Sequence, residues 1–232
     1  MDEHMPRAGL SAESVTREAA RIVDAEGLGA LSLARLAQSL GVAAPSLYKH
    51  VKGLDDLVAR VVDLTASAFA DALAEASVGR SGKDALQAIA SAYRSFAHTH
   101  PGTYPLIQRS PHRRAFRGRG GADGATKASP SGKGEASGKT PPSETARPSG
   151  AACPPPTIDA SERIVQIAGA ALIGYGIPKD SLVDAVRFVR SALHGFVDLE
   201  LSGGFGERRS AEASFSVAVD LLDEALARLG RA

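Results

Sequence analysis

Residues 32–52 constrain the fold of this chain more than any other part of its sequence. Apolar residues recur there at helical spacing as far as Leu40, and Gly41 then permits a sharp turn. Pro45 suits the first turn of a second short helix, because its ring fixes φ and a helix start leaves that N–H without a partner in any case. Two short helices joined by a glycine turn predict a helix-turn-helix, whose second helix fits the major groove of DNA.

The second helix of this motif combines a core anchor with a polar outward face. Leu47 and Val51 lie at positions that face a core, and the charged residues of the motif are all basic (Arg35, Lys49 and Lys52), as contacts to phosphate require. An ordinary helical hairpin inside a core is the alternative interpretation, and the polar outward face argues against it. We expect DNA contacts from Pro45, Ser46, Tyr48, Lys49, His50 and Lys52.

The sequence of the motif resembles the tetracycline-repressor (TetR) family of bacterial transcription regulators. Residues 37–42 and 45–52 carry the glycine, the proline and the Leu-Tyr-x-His core of that family in register. Residues 22–28 resemble the end of its first helix, so that the similarity extends over about residues 14–64. The resemblance implies a homodimer that binds palindromic operator DNA, most often as a repressor, and that a small-molecule effector releases from the DNA.

The resemblance and the chemistry of the side chains together assign roles on the DNA. By the resemblance, Tyr48 and His50 contact phosphate oxygens, and the two lysines add positive charge near the DNA backbone. Ser46 is the candidate for a base-edge contact, because a short hydroxyl both donates and accepts hydrogen bonds. Ser32 is expected to cap the first helix of the motif, and a contact of the same side chain with DNA is the alternative or additional role.

Helical periodicity continues almost throughout the chain, and we predict an all-α fold. A three-helix head that contains the helix-turn-helix occupies residues 1–52. Residues 53–109 contain a long connecting helix, over about residues 54–77, followed by the first part of the effector domain. The C-terminal effector and dimerisation helices occupy residues 158–232.

Residues 110–157 interrupt this pattern with a basic insertion rich in glycine, proline and serine. Between residues 117 and 157, 20 of 41 residues are of these three types, and Leu, Ile, Val, Met, Phe and Tyr do not occur. Such a segment buries too little apolar surface to offset its ordering entropy, so we expect disorder. Residues 109–157 carry a net charge of +6 and the rest of the chain carries −5. The insertion is either a solvated loop or a basic arm for a polyanion.

The last two predicted helices each carry an apolar seam with alternating steps of four and three residues. One seam consists of Leu182, Val186, Val189, Leu193 and Phe196, and the other of Phe215, Val219, Leu222, Leu226 and Leu229. Such seams are buried either inside one chain or in a four-helix bundle with a second copy. Since TetR-like proteins dimerise through their last two long helices, we prefer the second arrangement.

The effector site is less well defined by the sequence than the DNA-binding motif. Tyr93, Phe96, Tyr104 and His194 carry aromatic and polar groups of the kind that a small-molecule pocket needs, and we predict effector contacts from them. Each of the four fits a core position equally well. His194 also begins a His-Gly-Phe stretch that resembles one effector-domain subtype of the TetR family.

Other functional classes find little support in the sequence. The chain has no phosphate-binding loop, nucleophile elbow or His-Glu-x-x-His motif, and His98 and His100 do not share a helix face. Cys153 is the single cysteine, which excludes a disulfide within the chain. We therefore expect no enzymatic activity, metal or cofactor. An enzyme or a small-molecule-binding protein with an accessory DNA-binding head is the alternative.

The sequence also predicts where the protein acts. The N-terminal residues lack the apolar stretch of a secretion signal. The longest uncharged run, residues 164–178, is shorter than the roughly 18 residues that a membrane span needs. We therefore expect a cytoplasmic protein without a membrane partner.

Overall fold

The structure is a computed structural model, and it describes residues 10–109, 159–206 and 210–231. These residues form α-helices, short 3₁₀ helices and turns, with no strand among them, so the predicted all-α fold is confirmed. The α-helices are α1 (Ala12–Glu26), α2 (Leu33–Leu40), α3 (Leu54–Ser77), α4 (Gly82–Thr99), α5 (Tyr104–Arg109), α6 (Ala160–Leu172), α7 (Lys179–Leu201) and α8 (Ala211–Leu229). The 3₁₀ helix Ala44–Lys49 is called the recognition helix below. The predicted disordered insertion, residues 110–157, and its Cys153 lie outside the described residues.

Serine side chains cap the first two helices of the head, α1 and α2. The Ser11 hydroxyl accepts a hydrogen bond from the Ser14 N–H at 3.0 Å, and the Ser14 hydroxyl accepts one from the Ser11 N–H at 2.9 Å. Ser32 likewise accepts from the Arg35 N–H at 3.1 Å, which confirms its predicted capping role. These bonds satisfy backbone donors that a helix start leaves without partners.

The core of the head lies between α1, α2, the recognition helix and the first half of α3. The apolar side chains buried there, in the described part of the chain, are all aliphatic: Val15, Ala19, Ile22, Val23, Leu31, Leu36, Ala37, Leu47, Val51, Leu57 and Val61. Thr16 of α1 is buried as well. α3 spans the residues that its periodicity predicts, and its second half enters a separate core formed by the rest of the chain, here called the body. One continuous helix therefore belongs to both cores.

The body packs α3 to α8 around a core that contains aromatic rings. α3 packs against both α4 and α6. The ring of Phe69 meets that of Tyr93 edge to face, with the centroids 5.0 Å apart, and it lies at the same distance from Phe96. Such aromatic contacts stabilise a core beyond the area that they bury.

The apolar seams of α7 and α8 lie inside this core, so the prediction that they form a dimer interface is wrong. Val189 and Leu222, for example, are only 6% and 3% exposed. The seams pack against each other and against α4 of the same chain, because a four-three repeat is buried by whichever helix lies against it. The large apolar side chains that remain exposed on these two helices are Val183, Phe188, Leu199, Val217 and Leu221.

An ion-pair cluster joins α4, α7 and α8. The Arg94 guanidinium donates to both carboxylate oxygens of Glu200, at 2.6 and 2.8 Å, and it also pairs with Glu212. His98 lies 3.1 Å from the same Glu200 carboxylate. Hydrogen bonds from Arg94 in the first place, and from His98, lower the pKa of Glu200 to about 2, against an opposing effect of burial.

Two further observations concern the whole of the described chain. None of its helices is both long enough and apolar enough to span a lipid bilayer. Its His, Cys, Asp and Glu side chains form no group of three or more that is placed to hold a metal ion.

Candidate DNA-binding and effector sites

A glycine turn sets the direction of the recognition helix relative to α2. Gly41 has φ 65° and ψ 33°, in the left-handed region that glycine tolerates because it lacks a Cβ atom. The N–H groups of Gly41 and Val42 donate to carbonyls at the end of α2, at 3.2 and 3.0 Å. The chain therefore turns within residues 41–43 and begins the recognition helix with Pro45 in its first turn.

The recognition helix is anchored by two apolar side chains and leaves polar ones in solvent. Leu47 and Val51 are 0% and 2% exposed and fix the helix to the core of the head. Tyr48, in contrast, is 61% exposed although it is aromatic. Of the other predicted DNA contacts, Ser46 and His50 are half-buried, and Pro45, Lys49 and Lys52 are exposed. An exposed tyrosine beside lysines provides donors for phosphate oxygens.

Ion pairing distinguishes the lysines of this surface from the arginines around it. Arg17, Arg21 and Arg35 each pair with a glutamate of α1. The stretch 32–52 is free of acids in the sequence, but in the fold Glu26 of α1 lies 2.5 Å from the Arg35 guanidinium. Within the described ranges, no carboxylate forms an ion pair with Lys49, at the end of the recognition helix, or with Lys52, three residues after it. Asp56 accepts a hydrogen bond from the backbone N–H of Lys52 at 3.0 Å and not from its ammonium group. Both ammonium groups are therefore available to an external anion.

Comparison with known proteins assigns the family. The chain is 34% identical to the uncharacterized HTH-type transcriptional regulator Rv0681 of Mycobacterium tuberculosis over 196 residues, which are 84% of this chain and 72% of the relative. Residues 142–222 match the family model of the tetracyclin repressor-like C-terminal domain. The chain belongs to the TetR family of transcriptional regulators. The family predicted from the helix-turn-helix is confirmed, and the His-Gly-Phe subtype stays a prediction.

Solved structures of TetR-family proteins have the same fold. SCO7222, a TetR from Streptomyces coelicolor, matches with a TM-score of 0.64 at 15% identity, over 96% of this chain and 100% of that chain. BioQ with its double-stranded DNA operator matches with a TM-score of 0.57 at 19% identity, over 95% of this chain and 99% of that one. At these identities the likeness concerns the fold alone.

The body of this TetR-family regulator contains a cavity of about 150 Å³. Five helices, α3 to α7, contribute its lining side chains. Most of them are apolar, with Phe69 and Leu73 from α3 and Val186 from α7 among them. Largely apolar cavities with a few polar groups are typical of sites for small molecules. The polar side chains of the lining are Tyr93, Gln108, Ser161 and Arg190.

A chain of hydrogen bonds connects the polar side of the cavity to the interior of the body. Arg190 donates to the Gln108 amide oxygen at 3.1 Å, and the Gln108 amide nitrogen donates to the Tyr93 hydroxyl at 3.3 Å. The Tyr104 hydroxyl donates to that of Tyr93 at 2.9 Å and lies 2.9 Å from His194 Nδ1. Burial raises the pKa of Tyr93 and lowers the pKa of His194, which favours the neutral form of both groups.

The four residues predicted to contact an effector occupy different positions around this cavity. Tyr93 lines it directly. Tyr104 and His194 lie one hydrogen bond and two hydrogen bonds further from the cavity, in the same network. Phe96 packs in the aromatic cluster of the body and is not among the lining side chains.

Three lining residues with polar side chains escaped the sequence analysis, namely Gln108, Ser161 and Arg190. Gln108 and Arg190 are 82 positions apart in the chain and meet only in the fold. Gln108 lies near the end of a short helix, and Arg190 directly follows the seam position Val189. Neither position has a local pattern that marks it as part of a site.

The head and the body are also joined at a polar contact near the end of α1. One carboxylate oxygen of Asp24 accepts from the N–H groups of Gly102 and Thr103 at 3.2 and 2.8 Å, and the other lies 3.0 Å from His100 Nδ1. A Cβ atom on Gly102 would lie 1.9 Å from the backbone oxygen of Val23, so only glycine fits this approach. Because α5 begins directly after Thr103, the contact connects α1 to the helix that carries Tyr104 and Gln108.

Proposed function

We propose that this TetR-family regulator is a repressor that binds its operator as a homodimer and is released by a small-molecule effector. The observation that carries the proposal is the surface of the recognition helix, where lysines without a carboxylate partner lie beside the exposed Tyr48. Since glutamates pair with the arginines of α1 and α2, the positive charge available to DNA phosphates is concentrated there. BioQ, whose fold is similar, binds a double-stranded operator, which supports the same use of the head in this protein.

The roles that we propose on DNA follow from exposure and chemistry. Tyr48 and His50 donate to phosphate oxygens, and Lys49 and Lys52 add charge at the DNA backbone. Ser46 is the base-edge contact, because its hydroxyl donates and accepts. Phosphate contacts therefore dominate this interface, and they position the head without reading the sequence.

We propose the exposed apolar faces of α7 and α8 as the dimer interface. Phe188, Ala192 and Leu199 recur at helical spacing on one face of α7, and Phe188 and Leu199 are each 49% exposed. Val217 and Leu221 lie on the outward face of α8 and are 45% and 60% exposed. Two such helices from each of two chains form a four-helix bundle that removes these side chains from water.

In the proposed switch, α3 transmits the state of the cavity to the head. Phe69 and Leu73 of α3 line the cavity, whereas Leu57 and Val61 of the same helix belong to the core of the head. The Asp24 contact provides a second connection through α5. An effector that binds more tightly when the two heads are splayed shifts the population away from the spacing that fits DNA.

Selection from random double-stranded DNA tests the proposal. We expect enrichment of a palindromic site whose half-sites are about 34–36 Å apart, or a multiple of one DNA turn. Tyr48→Ala and His50→Ala should weaken binding to all sequences by a similar factor, because phosphate contacts carry no base information. An asymmetric motif, or no enriched motif, would contradict the proposal.

A further inference from the structure

We infer that the effector cavity takes a small, mostly apolar molecule with one carboxylate group, which Arg190 and Tyr93 bind. The inference rests on the proposed effector role of the cavity and adds the chemical class of the ligand. A cavity of about 150 Å³ with a largely apolar lining is large enough for a benzene ring. The apolar body of the ligand is therefore of the size of one aromatic ring or a short hydrocarbon chain.

The charge at the cavity has one sign. Among the described residues that line it, Arg190 is the only charged one. No carboxylate in the described ranges forms an ion pair with Arg190, although Arg187, one turn earlier on α7, pairs with Asp184 at 3.5 Å. Asp198, whose charge also acts on this network, neither lines the cavity nor pairs with Arg190. The positive charge of Arg190 is therefore left for a ligand to neutralise.

The guanidinium of Arg190 has donors to spare. It has five N–H groups in one plane, and the described structure uses one nitrogen, in the bond to Gln108. A carboxylate matches two of the remaining N–H groups in a parallel pair of hydrogen bonds. A cationic ligand would be repelled by Arg190, and a neutral ligand would accept weaker hydrogen bonds from it than a carboxylate does.

A second donor lies beside the first. When His194 Nδ1 carries the proton and donates to Tyr104, the Tyr104 proton goes to Tyr93. The Tyr93 hydroxyl then accepts from both Tyr104 and Gln108, and its own proton has no acceptor among the described residues. Tyr93 is 4% exposed and lines the cavity. A buried hydroxyl donor without an acceptor costs free energy, and a ligand oxygen removes that cost. Both polar groups thus favour an acceptor, and Arg190 favours an anionic one.

The inference is tested by comparing carboxylates with their primary amides, which have nearly the same shape but no charge. The probes are benzoate and benzamide, phenylacetate and phenylacetamide, and hexanoate and hexanamide, bound to the full chain without DNA and measured by calorimetry. We expect at least one carboxylate to bind about tenfold more tightly than its amide, which corresponds to one charge-assisted hydrogen bond. Tenfold is the low end of the expected range, because Arg190 is exposed and solvent screens its charge.

Variants of α7 assign the preference to Arg190. Arg190→Met should reduce the carboxylate preference to less than about twofold, and the control Arg187→Met should leave it unchanged. Arg190→Lys should keep only part of it, because lysine retains the charge but not the parallel pair of donors. Equal binding of acid and amide, no binding of any carboxylate at millimolar concentration, or a preference that survives in Arg190→Met would overturn the inference. If a carboxylate binds as expected but leaves operator affinity unchanged, the proposed release mechanism fails and the ligand class stands.

Discussion

The buried apolar side chains of the head are aliphatic, whereas those of the body include the rings of Phe69, Tyr93 and Phe96 and a hydrogen-bonded pair of tyrosine hydroxyls. The two regions also differ in where their positive charges lie. The head leaves Lys49 and Lys52 on its open surface, whereas Arg190 of the body, although exposed, lines a cavity. Both regions share α3, so neither is independent of the other.

The comparison is consistent with the two kinds of ligand proposed for this protein. A largely aliphatic core holds the recognition helix at a fixed position, which contact with regularly spaced phosphates requires. A body with unfilled space and polar groups has room for a ligand and for changes in packing. The predictions below test whether the two regions are as different as this account requires.

The largest expected effect comes from substituting two neighbouring residues of α7, one in the core of the body and one on its surface. Val189→Glu places an unpaired charge in the core and should lower the free energy of unfolding by more than about 3 kcal/mol. Phe188→Glu, on the exposed face of α7, should keep the helical circular dichroism spectrum but yield monomers. Circular dichroism and light scattering at micromolar concentration check both outcomes. A folded Val189→Glu protein, or a monomeric wild type, would contradict the assignment of the two faces.

The packing difference itself is tested by one type of substitution in both regions. Ala19→Leu adds volume to the core of the head, where Ala19 is 0% exposed, and should destabilise the protein by about 1–3 kcal/mol. Ala168→Leu extends into the cavity of the body and should cost less than about 1 kcal/mol. Urea unfolding of both variants measures the contrast. Equal losses would show that the cavity is not available space.

A smaller effect is expected from the Glu200 carboxylate of the body. Its pKa in the folded protein, about 2, is below the ordinary value of 4.5, so its stabilising effect is complete above about pH 4.5 and is lost as the pH falls toward 2. Glu200→Gln should therefore cost about 1–2 kcal/mol at pH 7, and the difference from the wild type should shrink between pH 5 and pH 3. Denaturant unfolding at several pH values measures this difference. The same loss at pH 3 and pH 7 would exclude the ionised carboxylate as its cause.

The sequence predicted the head better than the body, for a physical reason. The helix-turn-helix depends on signals within about twenty residues, namely the serine cap at Ser32, the glycine turn at Gly41 and the proline at Pro45, and the fold places all three as expected. Local signals of this kind are properties of the chain before it folds. Arg35 is the exception among the charges expected to face phosphate. Its ion-pair partner Glu26 belongs to another helix, so the sequence of the motif alone does not predict the pair.

The features of the body that matter for function depend on contacts between distant segments. The repeats on α7 and α8 do not distinguish a dimer interface from a core, because the same repeat serves packing within a chain and packing between chains. Arg190 and Gln108 define the polar side of the cavity although 82 positions separate them. The Asp24 contact likewise joins α1 to residues 100–103. Contacts between such distant residues cannot be predicted from a single sequence, because no local pattern connects the two segments.

The central claim is that the unpaired lysines of the recognition helix contact DNA phosphates, and the salt dependence of operator affinity tests it most directly. Lys49→Ala should lower affinity and flatten the plot of log K against log salt by about 1.8, since each of two chains loses one phosphate contact worth about 0.9. Arg17→Ala, which removes an exposed arginine already paired with Glu13, is the control and should leave the slope unchanged. A Lys49→Ala slope equal to that of the wild type would contradict the claim.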